Sequence, residues 1–291
     1  MKALIFGVNG QDGYYLSHLL KEKLIDVIGI SRKGDYTNGT VADYSFVESQ
    51  IRHHQPDYIF HFAANSTTRH FALFENHETI STGTLNVLEA VRLYCPAAKV
   101  FLSGSAMQFV NKGLSINEQT PFEASSPYAV ARIQSVYAGR YYRNKFGIKV
   151  YTGYFFNHDS PLRTEHHVNQ KIVKAVQRIV QGSNELLELG NIDVQKEFGF
   201  AGDTVEAVWT LVNQEAVFEA VIGTGEAYSI KDWTVSCFEK AGKDWKDYVV
   251  IKQDFVPEYK ILVSDPQVIK SLGWQPKVDF KKLVDLMMFN K

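Results

Sequence analysis

The first thirteen residues restrict this chain more than any other segment. Ala3-Leu4-Ile5-Phe6 is an apolar run of the length and composition of a strand buried on both faces. It is too short for a signal peptide or a membrane span. Gly7-Val8-Asn9-Gly10-Gln11-Asp12-Gly13 follows, with its glycines in a G-x-x-G-x-x-G pattern, and a helix is predicted from near Tyr14 to Lys23. Strand, glycine turn and helix in that order form the context of a dinucleotide fingerprint. Gly7 and Gly10 would let the backbone turn tightly and approach a pyrophosphate drawn to the helix N-terminus. Gly13 would let the helix pack closely on the strand. Three ordinary turn glycines are the competing reading, and the flanking strand and helix weigh against it.

The alternation continues downstream. Val27 to Ile30 reads as a second strand, ending in Ser31-Arg32-Lys33. A site for NAD usually carries an acidic residue here for the ribose 2′-OH, whereas an Arg suits a 2′-phosphate. Arg32 therefore favours NADP(H), with NAD(H) as the alternative; its competing reading is a solvated loop cation. Tyr58 to Phe62 is a further strand, and the small residues Ala63-Ala64-Asn65 after it would let backbone approach the cofactor. A helix near Thr82 to Tyr94 and a strand near Lys99 to Leu102 complete the pattern, which implies a parallel sheet. The expected fold is α/β: a Rossmann-like doubly wound parallel sheet over residues 1–155, to which later segments return. A smaller, mainly C-terminal α/β region over 156–291 would bind the substrate.

Composition narrows the function classes. The chain has 291 residues, 45% of them hydrophobic and 22% charged, as in an ordinary soluble globule. A net charge of −1 gives no global attraction to nucleic acid or to an acidic membrane surface. Cys95 and Cys237 are the only cysteines, and two free thiols fit a reducing cytoplasm. His53-His54 and His166-His167 are adjacent pairs, which point about 100° apart in a helix and do not share a metal in regular structure. No cysteine pair or His-x-Glu constellation accompanies them, so no metal is expected. Ser105 lies outside any Gly-x-Ser-x-Gly elbow, which argues against a hydrolase.

Ser126-Pro127-Tyr128-Ala129-Val130-Ala131-Arg132 places a tyrosine and a cation four apart, on one face of a helix. With the glycine turn Gly10-Gln11-Asp12-Gly13, this stretch resembles the extended short-chain dehydrogenases that act on nucleotide sugars, and most closely the GDP-mannose 4,6-dehydratase family. The similarity runs nearly end to end. Phe156-Asn157-His158-Asp159-Ser160-Pro161 with Arg163 is similar to that family's substrate loop, and Val168 and Lys171 continue it. Leu189-Gly190-Asn191-Ile192-Asp193 and the segment through Lys196 and Glu197 look like its nucleotide-contacting part. The resemblance implies that Tyr128 acts as acid–base, that Ser105 orients the reacting sugar oxygen, and that Arg132 stands in for the family's lysine. It implies cofactor contacts from Gly7, Asn9, Gly10, Gln11, Asp12, Gly13, Arg32, Asp43, Ala63, Ala64, Tyr128 and Arg132. It implies contacts to a GDP-linked hexose from Asn157, His158, Arg163, Val168, Lys171 and Lys196. A homodimer through a four-helix interface is common in this family, and the aromatic residues Tyr137, Tyr141 and Tyr142 read as helix-face packing or as such an interface.

Three departures set the chain apart. The family uses a Glu near the end of the strand before the catalytic helix as acid–base for eliminating water. Counting back from Tyr128 puts Ala106 there, or Gln108 if two loop residues are deleted, and no Asp or Glu occurs between Glu89 and Glu118. Neither residue transfers a proton as a carboxylic acid does. Arg132 keeps the charge but changes its shape and hydrogen bonding. The segment between Arg32 and Asp43 is far shorter than in the dehydratases, and Thr40-Val41 replaces their adenine-contacting Asp–hydrophobic pair. The expected activity is hydride chemistry at C4 of a GDP-hexose by a 4-keto reductase, C4 dehydrogenase or epimerase. A true dehydratase with an atypical site and a non-catalytic binding protein are the alternatives.

Overall fold

The structure, a computed structural model, describes residues 1–252 and 255–289. Seven strands form one parallel sheet: β1 (Lys2–Phe6), β2 (Asp26–Ser31), β3 (Thr37–Asn38), β4 (Tyr58–His61), β5 (Lys99–Ser105), β6 (Lys149–Phe155) and, after four shorter strands, β11 (Glu219–Ile222). Their spatial order is β11-β6-β5-β4-β1-β2-β3. The chain moves outward from β1 to β3, then crosses to β4 on the other side. That reversal opens a crevice beyond the carboxyl ends of β1 and β4, where open α/β sheets bind ligands.

Helices cover both faces, which is why β1 and β4 read as continuous apolar runs. Helices α1 (Gln11–Glu22) and α7 (Ala201–Val212) pack together on one face, over Leu16, Leu20, Val208 and Leu211. On the other lie α2 (Tyr44–His54), α4 (Gly83–Tyr94) and α5 (Pro127–Phe146), around Val47, Ile51, Val87 and Val91. A short helix α3 (Leu73–Asn76) and one π turn, His77–Thr82, lead into α4.

The remaining elements build a second core. Helices α6 (Val168–Val180), α8 (Ile230–Lys240) and α10 (Phe280–Phe289) enclose Ile172, Val176, Trp233, Phe238, Leu283 and Met287. Small sheets surround them: β7 (His158–Asp159) with β10 (Gly199–Phe200), β8 (Leu187–Leu189) with β13 (Val249–Ile251), and β9 (Gln195–Glu197) between β12 (Ala227–Ser229) and β14 (Ile261–Leu262). Helix α9 (Gln267–Ser271) packs back against β11.

A buried carboxylate joins the two parts. Glu197 on β9 is fully buried and accepts from the backbone N–H groups of Thr224 (2.6 Å), Gly225 (3.3 Å) and Ser264 (2.6 Å). Thr224 and Gly225 lie just beyond β11, so a residue of the outer region fixes the end of a main-sheet strand.

Candidate functional site

One cleft of about 980 Å³ opens at the topological switch point. The glycine turn forms its floor. Gly7 has φ +89°, and a Cβ there would come within 2.7 Å of the Ala63 nitrogen. A Cβ on Gly13 would lie 2.6 Å from the Val8 Cα. Gly10 precedes α1 without any side-chain cap, leaving that helix N-terminus open to an anion. Backbone this bare beside an uncapped helix fits a dinucleotide pyrophosphate.

Helix α5 starts on Ser126, whose Oγ accepts from the Ala129 N–H at 3.1 Å, with Pro127 in the first turn. Tyr128, Arg132, Ser135, Gly139 and Tyr142 form its buried face, so the four-residue spacing turns Tyr128 and Arg132 toward β5 and the cleft. The Arg132 guanidinium lies 5.1 Å from the centroid of the Tyr128 ring. Its Nη1 donates to the Ser103 carbonyl and, at 2.7 Å, to Ser103 Oγ. The cation is thus anchored to β5 and sits over the phenol ring.

Ser105 ends β5 and caps a 3₁₀ turn, Ala106–Gln108. Its Oγ accepts from the Met107 N–H at 3.2 Å, and its own N–H donates to Gln108 Oε1 at 2.9 Å. Gln108 is fully buried in this capping role and is not among the residues lining the cleft. Ala106 and Met107 line the cleft instead. Met107 packs with Ala64, Ile80, Ala131 and Tyr128, so the wall beside the tyrosine is apolar.

The loop after β6 faces the glycine turn across the cleft. Asp12 Oδ1 lies 2.8 Å from His158 Nε2, while His158 Nδ1 lies 2.8 Å from the Phe156 carbonyl. Burial alone would push His158 down, but the Asp12 carboxylate outweighs it and holds the imidazole above its ordinary value. Burial likewise opposes ionisation of Asp12, and His158 and Arg163 overcome it, holding the carboxyl below its usual range. Each partner therefore favours the charged form of the other, and both ring nitrogens of His158 face an acceptor. Gln11 adds two contacts, donating to the His158 carbonyl at 3.2 Å and accepting from Ser160 Oγ at 2.9 Å.

Arg163 donates to Asp159 Oδ1 at 3.1 Å and to the His158 carbonyl at 3.2 Å. Burial pushes His167 down to about 4, with Arg163 adding to the effect, and pushes Lys196 down to about 8 against the pull of Asp159. Arg163 and His167 line this end of the cleft, and Lys196 is buried close to Arg163 and Asp159 without lining it.

Of the residues expected at the site, Gly7, Gly10, Gln11, Asp12, Gly13, Ala64, Ser105, Tyr128, Arg132, Asn157, His158 and Arg163 line this one cleft. Others stand back from it. Asn9 donates to Ser31 Oγ at 2.8 Å and braces the loop after β2. Ala63 donates its N–H to the Phe6 carbonyl at 3.0 Å, behind Gly7. Asp43 caps α2, accepting from the Phe46 N–H at 3.2 Å. Val168 opens α6 against the second core, Lys171 donates to the Glu188 carbonyl at 2.6 Å, and Lys196 is buried over the Phe198 ring. Arg32 pairs with Glu75 at 3.0 Å. Sequence reasoning missed Thr68 and Glu258, which hydrogen-bond to each other at the cleft wall. They are 190 residues apart and match no motif. Among the described residues, no group of three or more His, Cys, Asp or Glu side chains could hold a metal, and no helix is long and apolar enough to cross a membrane.

The profile of the family described as "GDP-mannose 4,6 dehydratase" matches residues 4–287. GDP-mannose 4,6 dehydratase 1 of Arabidopsis thaliana is 35% identical over 98% of this chain and 88% of its own length. Among solved structures, a UDP-glucose 4-epimerase of Thermus thermophilus complexed with NAD superposes with a TM-score of 0.85 at 20% identity, covering 99% of this chain and 98% of that one. RMD from Pseudomonas aeruginosa, complexed with NADPH, gives a TM-score of 0.85 at 20% identity over 99% and 97%.

Proposed function

This chain belongs to the GDP-mannose 4,6 dehydratase family, and from that premise we propose that it is an NADP(H)-linked oxidoreductase acting at C4 of a GDP-linked hexose, without the dehydration step. One observation carries the reading. Tyr128, Ser105 and Arg132 line one cleft, and the wall beside them is Ala106 and Met107 rather than a carboxylic acid. A 4-keto reductase is the first choice, with C4 oxidation or epimerisation as variants of the same chemistry.

The nicotinamide, when bound, supplies or accepts the hydride. Tyr128 gives its hydroxyl proton to the C4 oxygen in reduction and takes it back in oxidation. Ser105 Oγ holds that oxygen in line. Arg132 fixes the phenol ring and adds positive charge where negative charge develops. Arg163, with Lys196 and His167 behind and beside it, offers charge to the diphosphate. Among the described residues, Asp12 and Glu258 are the carboxylates lining the cleft. Asp12 is held by His158 and Glu258 by Thr68, so neither is a free acid for eliminating water.

The same reading takes the protein to be a cytoplasmic homodimer. Leu85 and Leu93 on α4 and Tyr137 and Tyr141 on α5 are exposed, which suits a four-helix contact. The free thiols of Cys95 and Cys237 suit a reducing compartment.

The test is direct. The protein is incubated with GDP-mannose and NADP, and with the GDP-linked 4-keto-6-deoxy sugar and NADPH. Turnover of the keto sugar, lost in Tyr128→Phe, is the expected result. A 4-keto-6-deoxy product from GDP-mannose would overturn the non-dehydratase reading.

A further inference from the structure

The loop after β2 carries Arg32, whose place at the end of the second strand is the one that reads the ribose 2′ position in dinucleotide folds, and this guanidinium is already engaged. Arg32 Nη1 lies 3.0 Å from Glu75 Oε1. Glu75 belongs to α3, which follows β4. Because β2 and β4 flank β1 in the sheet, the Arg32–Glu75 contact links the segments that follow the two neighbours of β1. Glu75 does not hang on Arg32 alone. Its other oxygen accepts from Asn65 Nδ2 at 2.7 Å, so the carboxylate is oriented by a second element. Asn65 and Arg32 together hold its carboxyl below the usual range, and it is ionised at neutral pH.

Two consequences follow for a dinucleotide. The strand end Ser31-Arg32-Lys33 lacks the acidic residue that hydrogen-bonds a free 2′-OH in NAD sites. The fold brings a carboxylate to the same guanidinium from elsewhere. A 2′-phosphate approaching Arg32 must displace Glu75 or share the cation with it, and the two anions repel. A free 2′-OH meets no such conflict and can donate to a carboxylate.

We propose that Glu75 is the cofactor-discriminating residue of this enzyme: paired with Arg32, it weakens the hold on a 2′-phosphate and admits dinucleotides with a free 2′-OH. The protein then binds both NADPH and NADH, with Arg32 serving the first and Glu75 the second. This rests on the reading of the glycine turn as a dinucleotide site, and it deepens the choice of NADP by naming the residue that limits it.

Equilibrium titration of dihydronicotinamide fluorescence with NADPH and NADH tests this without any sugar substrate. Wild type is expected to bind both. Glu75→Gln keeps the shape and the Asn65 contact but removes the charge; it is expected to tighten NADPH by roughly 3- to 10-fold relative to NADH. Arg32→Ala is expected to weaken NADPH by at least that factor and leave NADH within about twofold. An unchanged NADPH-to-NADH ratio in Glu75→Gln overturns the proposal while leaving the dinucleotide site intact. Failure of wild type to bind either cofactor overturns both. Both side chains are substantially exposed, at 63% for Arg32 and 39% for Glu75, so the variants are expected to fold.

Discussion

Replacing Asp12 by Asn keeps the shape of the contact between the glycine turn and the loop after β6 and removes its charge. His158 points one ring nitrogen at Asp12 and the other at the Phe156 carbonyl, each at 2.8 Å. Two acceptors on two ring nitrogens call for the doubly protonated ring. The His158 and Asp12 side chains are only 10% and 23% exposed. Stranding a buried charge costs about 3–5 kcal/mol. An amide can instead turn its NH₂ toward a neutral Nε2 and recover a hydrogen bond worth about 1 kcal/mol. With Asp12 partly solvated, the net loss for Asp12→Asn is about 1–3 kcal/mol, or roughly 2–8 °C in Tm for a chain of this size. The pH dependence is the sharper signature. His158 titrates above its ordinary value, so its contribution is full below about pH 6.5 and is lost as pH rises through the raised native value. Asp12 titrates below its ordinary value, so its contribution is present above about pH 3.9 and is lost only as pH falls through the native value. Urea unfolding from about pH 5 to about pH 9 should therefore give the largest gap between wild type and Asp12→Asn near pH 5–6, narrowing on the alkaline side. A gap that stays constant over that range would refute the ion pair.

Four further outcomes are expected. Tyr128→Phe lowers turnover by about 10²- to 10⁴-fold while cofactor affinity, measured by fluorescence titration, changes little. Gly13→Ala forces a Cβ to within 2.6 Å of the Val8 backbone, so α1 must shift; a loss of about 1–3 kcal/mol in urea unfolding and weaker NADPH binding should accompany it. Glu197→Ala orphans the N–H groups of Thr224, Gly225 and Ser264 and should cost about 3–5 kcal/mol by the same unfolding assay. His167, neutral in the free protein until about pH 4, gains a proton more readily beside a diphosphate. Calorimetry should find GDP affinity rising as pH falls from about 7 to about 5, with a flatter profile in His167→Gln.

The sheet was largely legible because β-α-β patterning is local. Ala3-Leu4-Ile5-Phe6 and Gly7 to Gly13 announced β1, the turn and α1, and the boundaries of β2, β4 and α4 agree within one residue. Tyr128 and Arg132 were legible as a helical pair for the same reason. The wall facing them was not. Counting along the chain offered Ala106 or Gln108, but a capping box, set by Ser105 backbone geometry, buries Gln108 and leaves Met107 beside the tyrosine. Glu75 and Glu258 escaped because each meets its partner through tertiary packing: Arg32 is 43 residues from Glu75, and Thr68 is 190 from Glu258. Asp43 carried a plausible residue type for cofactor binding, yet the start of a helix uses it as a cap.

Glu197 has a consequence for how the chain can come apart. The edge strand of the nucleotide-type sheet, β11, is delivered by residues that follow most of α6 to α7, and its end is fixed by a carboxylate from the outer region. A fragment stopping near residue 155 would expose the whole edge of β6 as an unpaired template. The outer region alone would bury Glu197 with no strand end to receive it. Neither half is a finished unit, so unfolding should proceed as one cooperative event. Hydrogen exchange at Thr224, Gly225 and Ser264 should report the same opening free energy as the strands of the main sheet.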